Sequence, residues 1–176
     1  ALNSGLTWTK TLTFYGSVAT AEIGTSKYKI ARTGGFSTAG MFTVLLKDAA
    51  GNAVPGQSVT IESSDLTQIA SGSCADLSGL VTDGVYACEL TSSALSTSGG
   101  TATVTATYEN PVTEVEYSAT YAVTLGGGVS TVVLTTDKAT YEPGEKMVVT
   151  ATAKDASGNP VYDGLSGPTL TSNKSL

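Results

Sequence analysis

The chain has 176 residues, a net charge of −6 and a pI near 4.5, with 9 basic residues, 15 acidic ones and no His. A nucleic-acid surface needs clustered Lys and Arg to displace phosphate counterions, so this composition argues against one. Without His, the commonest general base is missing, together with Ser-His-Asp and Cys-His arrangements. Roughly one residue in six is Thr, well above ordinary usage. Thr and Val favour strands while the 20 Gly and 5 Pro punctuate them, so the expected class is all-β.

Lys10 to Gly16 reads as a closing strand, and an opening strand is expected over 18–31. Phe42, Val44 and Leu46 then alternate with Thr43, Leu45 and Lys47, the period of a strand with one face in a core. Asp48-Ala49-Ala50-Gly51-Asn52 ends that strand in a turn, because Asp can bond its own downstream backbone and Gly accepts positive φ. After Pro55-Gly56, Val59 and Ile61 mark a short strand. Tyr86, Cys88 and Leu90 alternate with Val85, Ala87 and Glu89, and Ala102, Val104, Ala106 and Tyr108 with Thr101, Thr103, Thr105 and Thr107. Asn110-Pro111 breaks that run, since Pro removes a ladder donor and restrains the residue before it. A long strand follows, with Val115, Tyr117, Ala119, Tyr121, Val123 and Leu125 on one side. About seven strands in roughly 110 residues suit a two-sheet sandwich. Helical periodicity is weak; its best stretch, Ser92 to Ser98, is short and Ser-rich.

The phrase Lys47-Asp48-Ala49-Ala50-Gly51-Asn52-Ala53-Val54 returns 107 residues later as Lys154-Asp155-Ala156-Ser157-Gly158-Asn159-Pro160-Val161. Val149, Ala151 and Ala153 alternate with Thr150, Thr152 and Lys154 ahead of it, as Phe42 to Lys47 do in the first copy. A second alignment, offset by 111, pairs Val18-Ala19-Thr20-Ala21-Glu22-Ile23 with Val129-Ser130-Thr131-Val132-Val133-Leu134, and Lys10 to Gly16 with Tyr121 to Gly127. Repetition at the length of a small β domain is the signature of a module array. The expected organisation is residues 1–16 as the last strand of one domain, 17–126 as a complete sandwich and 127–176 as the first strands of the next. The chain is therefore expected to be a window on a longer protein. Gly126-Gly127-Gly128 is too short a junction to reach far, so neighbouring modules are expected nearly in contact.

Cys74 and Cys88 form an even pair, and in an exported chain a disulfide is the leading reading. A metal or redox pair fits less well, without His or further Cys and without Cys-x-x-Cys spacing. The Asp-Gly-Asn turns could be read as calcium loops, but acidic residues are too sparse for six to eight oxygen ligands. Asp76, Asp83, Glu114 and Glu116 are not spaced so as to place a converging carboxylate pair, and Gly126 to Gly128 is not a phosphate loop. No catalytic residue, metal or cofactor is expected. Tyr117 and Tyr121 could offer a sugar-stacking ladder, though such pairs are usually packing, and Trp8 is expected at a domain junction. Asn173-Lys174-Ser175 fits the N-glycosylation triplet.

Thr136-Asp137-Lys138-Ala139-Thr140-Tyr141-Glu142-Pro143-Gly144-Glu145-Lys146, running on through Met147 to Val161, resembles the start of bacterial Ig-like repeats. These are the invasin- and intimin-like modules of cell-surface and S-layer proteins. Lys10 to Gly16 is similar to a module-closing phrase in large surface-layer-type proteins of actinobacteria. The resemblance implies tandem Ig-like sandwiches at the cell surface, outside the cell, acting as spacer and assembly scaffold in a surface layer, stalk or filament. Its implied partners are neighbouring copies or cell-envelope components, with glycans for an adhesin or carbohydrate-binding alternative. Tyr86-Ala87-Cys88 has the immunoglobulin Tyr-x-Cys spacing, yet Cys74 lies too near to be the partner from an opposite sheet. Similar Tyr-x-Pro-Gly openings occur in macroglobulin-type domains of protease traps, but no thioester motif is present here.

Overall fold

The computed structural model describes residue 9, residues 12–78, 83–96 and 99–165, and residues 167, 169 and 171. Among these, the chain forms strands without helices: β1 (Val18–Ser26), β2 (Ile30–Arg32), β3 (Ser37–Asp48), β4 (Thr60–Ser63), β5 (Ile69–Asp76), β6 (Val85–Ser92), β7 (Gly100–Glu109), β8 (Glu116–Gly126), β9 (Thr131–Thr136) and β10 (Val149–Lys154). Two four-stranded sheets, in the orders β1-β3-β6-β5 and β2-β8-β7-β4, use strands β1 to β8. The pairings are antiparallel except for β2, which runs parallel to the end of β8, Ile30 beside Thr124 and Arg32 beside Gly126. Among the described residues, no helix is long and apolar enough to cross a membrane.

The period-2 patterns dictate which side of each sheet is dry. Phe42, Val44 and Leu46 from β3 meet Tyr86, Cys88 and Leu90 from β6 on one side. Ala102, Val104, Ala106 and Tyr108 from β7, with Val123 and Leu125 from β8, supply the other. Phe42 is fully buried and stacks on Tyr121 across the sheets, ring centroids 4.7 Å apart. Removing a side chain of that size from water contributes roughly 3 kcal/mol. No residue of β9 or β10 belongs to this core, so Phe42 and Val149 do not share a hydrophobic centre.

β9 and β10 form a separate antiparallel hairpin whose register copies β1 and β3. Thr20, Ala21 and Ile23 pair with Lys47, Leu46 and Val44; Thr131, Val132 and Leu134 pair with Lys154, Ala153 and Ala151. The two alignments, offset by 111 and 107, thus describe one strand pair built twice, with four fewer residues between equivalent paired positions the second time. In the connector between β9 and β10 the Tyr141 hydroxyl donates to Asp137 Oδ1 at 2.6 Å and accepts from Lys138 N at 2.9 Å, while Lys138 pairs with Glu145. Val132, Leu134, Met147 and Val148 of this second hairpin are exposed.

The expected opening strand needs correction. The opening segment 18–31 is two strands, not one: β1 joins the β3 sheet, a kink after Ile23 shifts the register, and β2 crosses to β8. The Ser- and Gly-rich run 71–76 is part of β5, an edge strand paired with β6 along its length. Gly72 belongs there because a Cβ would sit 2.7 Å from Ile61 and 2.9 Å from Leu90. The sandwich has eight strands, β1 to β8, close to the expected number of about seven. Ser92 to Ser96 carries a turn after β6 and no helix.

Candidate functional site at the ends of the sandwich

The repeated Asp does more than form a turn. Asp48 is buried, and its Oδ1 accepts the N–H groups of Ala50 at 2.9 Å and Asn52 at 2.8 Å, as expected of a local Asx turn. Gly51 follows at φ 83°. Its second oxygen, Oδ2, reaches back 32 residues to accept the backbone N–H of Gly16 at 2.9 Å. Asp155 repeats every element: buried, Oδ1 accepting from Ser157 at 3.0 Å and Asn159 at 2.8 Å, Gly158 at φ 80°, and Oδ2 accepting the N–H of Gly127 at 3.2 Å. One carboxylate thus closes the turn and holds the glycine that leads into its own hairpin. The Gly16 N–H is the largest reason that the Asp48 carboxyl lies at about 2, below the ordinary 3.8; the Asn52 side chain adds to it.

At the far end of the sandwich the second copy of the turn is seated in place. Gly126 has no room for a side chain, since a Cβ would lie 2.4 Å from the Pro160 carbonyl oxygen and 2.7 Å from Tyr162 N. Asp163 Oδ2 accepts the N–H groups of Lys29 at 2.7 Å and Ile30 at 3.1 Å, and Asp163 N donates to the Ile30 carbonyl at 3.0 Å. Arg32 lies with its guanidinium carbon 3.4 Å from the Phe36 ring centre and 5.2 Å from that of Tyr162. At the near end, Tyr15, Val54, Gln57, Tyr108 and Pro111 line an open groove between the incoming segment and the sandwich. Tyr86 anchors the sandwich side of it, its hydroxyl donating to Val54 O at 2.9 Å and accepting from Gln57 N at 3.0 Å. Burial pushes that phenol upward.

Cys74 and Cys88 stand opposite each other on β5 and β6, bonded at 1.99 Å. The bridge lies within one sheet and ties the edge strand β5 to its neighbour. The acidic residues do not converge. Asp76 accepts from Ser78 and from Gly56 N, Asp83 is exposed ahead of β6, Glu114 sits in the turn before β8 at φ 55°, and Glu116 pairs with Glu109. Among the described residues, no group of three His, Cys, Asp or Glu could hold a metal. Tyr117 and Tyr121 are half-buried against the core; Tyr121 also donates to the Tyr28 carbonyl at 2.8 Å. Trp8 and Asn173 lie outside the described residues.

Of the joint residues, Gly127 lies in the glycine junction read from the sequence and Gly16 ends the expected closing strand, whereas Arg32, Tyr162 and Asp163 carry no such signal. One signal was available: an Asp kept in both copies at similar distances behind a glycine junction. No family model and no curated protein matches the chain. Among solved structures, domains 4–9 of the surface layer protein SbsC are similar, with 20% identity over 82% of this chain and a TM-score of 0.42. The chain spans about a fifth of that structure's length, 21%.

Proposed function

We propose that this chain is a structural segment of an extracellular array, a spacer and assembly scaffold of the surface-layer, stalk or filament kind, and not an enzyme. The observation that carries the reading is the recurrence of the Asp-to-glycine clamp, Asp48 on Gly16 and Asp155 on Gly127, at both ends of one sandwich. A repeated joint sets a repeated angle between units, which is what a spacer needs and a lone binding domain does not. The orders β1-β3-β6-β5 and β2-β8-β7-β4 support an Ig-like assignment, since they match the ABED and GFC orders of immunoglobulin sandwiches with β2 added beside the last strand. On this reading 17–126 is the complete unit, and 127–176 opens the next. Ala151, Ala153 and Val161 then occupy the places where Val44, Leu46 and Val54 are buried in the first copy. Neighbouring copies and envelope components are its partners.

The test is orientation in solution. In the full chain, amide residual dipolar couplings from β9 and β10 should fit the alignment frame of the sandwich. Gly126→Val, which drives a side chain into the Pro160 carbonyl, should break that shared frame while leaving the sandwich couplings intact. A wild-type hairpin that already tumbles in its own frame sinks the proposal.

A further inference from the structure

The two joints share the carboxylate clamp but differ just beyond it. Counting 107 residues from one copy to the other, Pro55 and Gly56 stand where Tyr162 and Asp163 stand. At the near joint Gly56 has no side chain to offer a neighbour, and its N–H is committed to Asp76 Oδ2 at 2.6 Å within the sandwich. At the far joint the same two positions carry an aromatic ring and a carboxylate, and both engage the end of the sandwich.

The surface they meet has a defined chemistry. β2 is the edge of its sheet, so one side of it presents main-chain donors and acceptors that β8 does not satisfy. Such an edge recruits extended chains unless something covers it. Asp163 covers it with the pattern a strand would use: its carboxylate takes the N–H groups of Lys29 and Ile30, and its own N–H goes to the Ile30 carbonyl. Two residues along, the Arg32 guanidinium lies over the Phe36 ring, 3.4 Å from its centre, with the centre of the Tyr162 ring 5.2 Å away. An Arg held against aromatic rings is favourable, and Tyr162 supplies one such ring. Pro-Gly provides neither the carboxylate nor the ring.

We infer that the β2 edge with Arg32 and Phe36 is a docking surface selective for a following module whose turn carries Tyr-Asp, and that Tyr162 and Asp163 are the latch that reads it. The clamp at Asp155 is the constant part of the joint; the latch is the variable part that fixes neighbour order. This rests on the array reading, in which 127–176 opens the next unit.

The experiment uses the full chain with Asp163→Ala and with the paired replacement Tyr162→Pro, Asp163→Gly, which installs the residues of the near joint. Amide exchange is followed at Lys29 and Ile30, and dipolar couplings at β9 and β10. Asp163→Ala should speed exchange at Lys29 and Ile30 by about tenfold, the scale of one lost bond to a charged acceptor. The paired replacement should also move the hairpin out of the sandwich frame while the Gly127 amide stays protected by Asp155. Unchanged exchange at both amides in Asp163→Ala overturns the latch, as does a hairpin that keeps its orientation in the paired variant. If Gly126→Val frees the hairpin and the paired variant does not, the latch falls and the array reading survives. Separate frames in the wild type remove both.

Discussion

Replacing Cys74 and Cys88 together by Ala removes a bridge that closes a segment with a sequence separation of 14. In the chain-entropy treatment, a loop of that size stabilises the folded state by about 3 kcal/mol, by limiting the unfolded chain. Alanine, rather than serine, is the informative choice because Cys88 is fully buried and a hydroxyl there would add an unrelated desolvation cost. For a cooperative unit near 110 residues, about 3 kcal/mol corresponds to a melting point lower by roughly 10–15 °C. The loss should also be local. β5 is an edge strand paired only with β6, so hydrogen exchange should rise first across Ile69–Asp76 and leave β3 and β7 protected. Calorimetry with and without a reductant, together with exchange mass spectrometry, reads both effects. The wild type under reduction should approach the double variant, and the double variant should not respond. A melting point within about 3 °C of wild type would refute the reasoning, because the β5 ladder would then hold without its staple.

Two further outcomes follow from the core and from the near-end clamp. Phe42→Ala deletes a ring that stacks on Tyr121 in the centre of the sandwich and should cost about 3–5 kcal/mol in denaturant unfolding; a loss under 1 kcal/mol would mean the core lies elsewhere. Asp48 has a folded-state value of about 2 against an ordinary 3.8, so its contribution is present above about pH 4 and is lost as pH falls towards 2. Asp48→Asn should therefore melt lower than wild type at pH 6, with the gap closing between pH 4 and 2; parallel curves across that window would exclude the clamp as its cause.

Much of the sandwich was readable in advance because its long strands are half-buried. Phe42 to Leu46, Tyr86 to Leu90 and Ala102 to Tyr108 alternate strictly, and each entered the core as its pattern required. β5 was not readable. Only Ile69 of that strand is fully buried, and Ser71, Gly72 and Ser73 carry no apolar signal, since their face is held by a ladder and a bridge rather than by side-chain burial. The break between β1 and β2 was hidden for a related reason: Lys27 to Ile30 continue a strand-like composition while the chain changes sheets. The turn at Asp48 was legible from Asp, Gly and Asn, because those residues act on neighbours within four positions. Its second task was not, since Gly16 lies 32 residues away and a glycine N–H leaves no mark in the sequence. Tyr162 and Asp163 were hidden likewise, with partners more than 130 residues distant at Asp163.

The parallel alignment of β2 with the end of β8 has a mechanical consequence. In the proposed array, tension would pull the start of β2 and the finish of β8 in opposite directions, so the two strands would be asked to slide past each other. Sliding loads all the bonds between them together, whereas peeling would break them singly. A thread of such units would therefore yield under stretch only when whole rows of bonds give way at once.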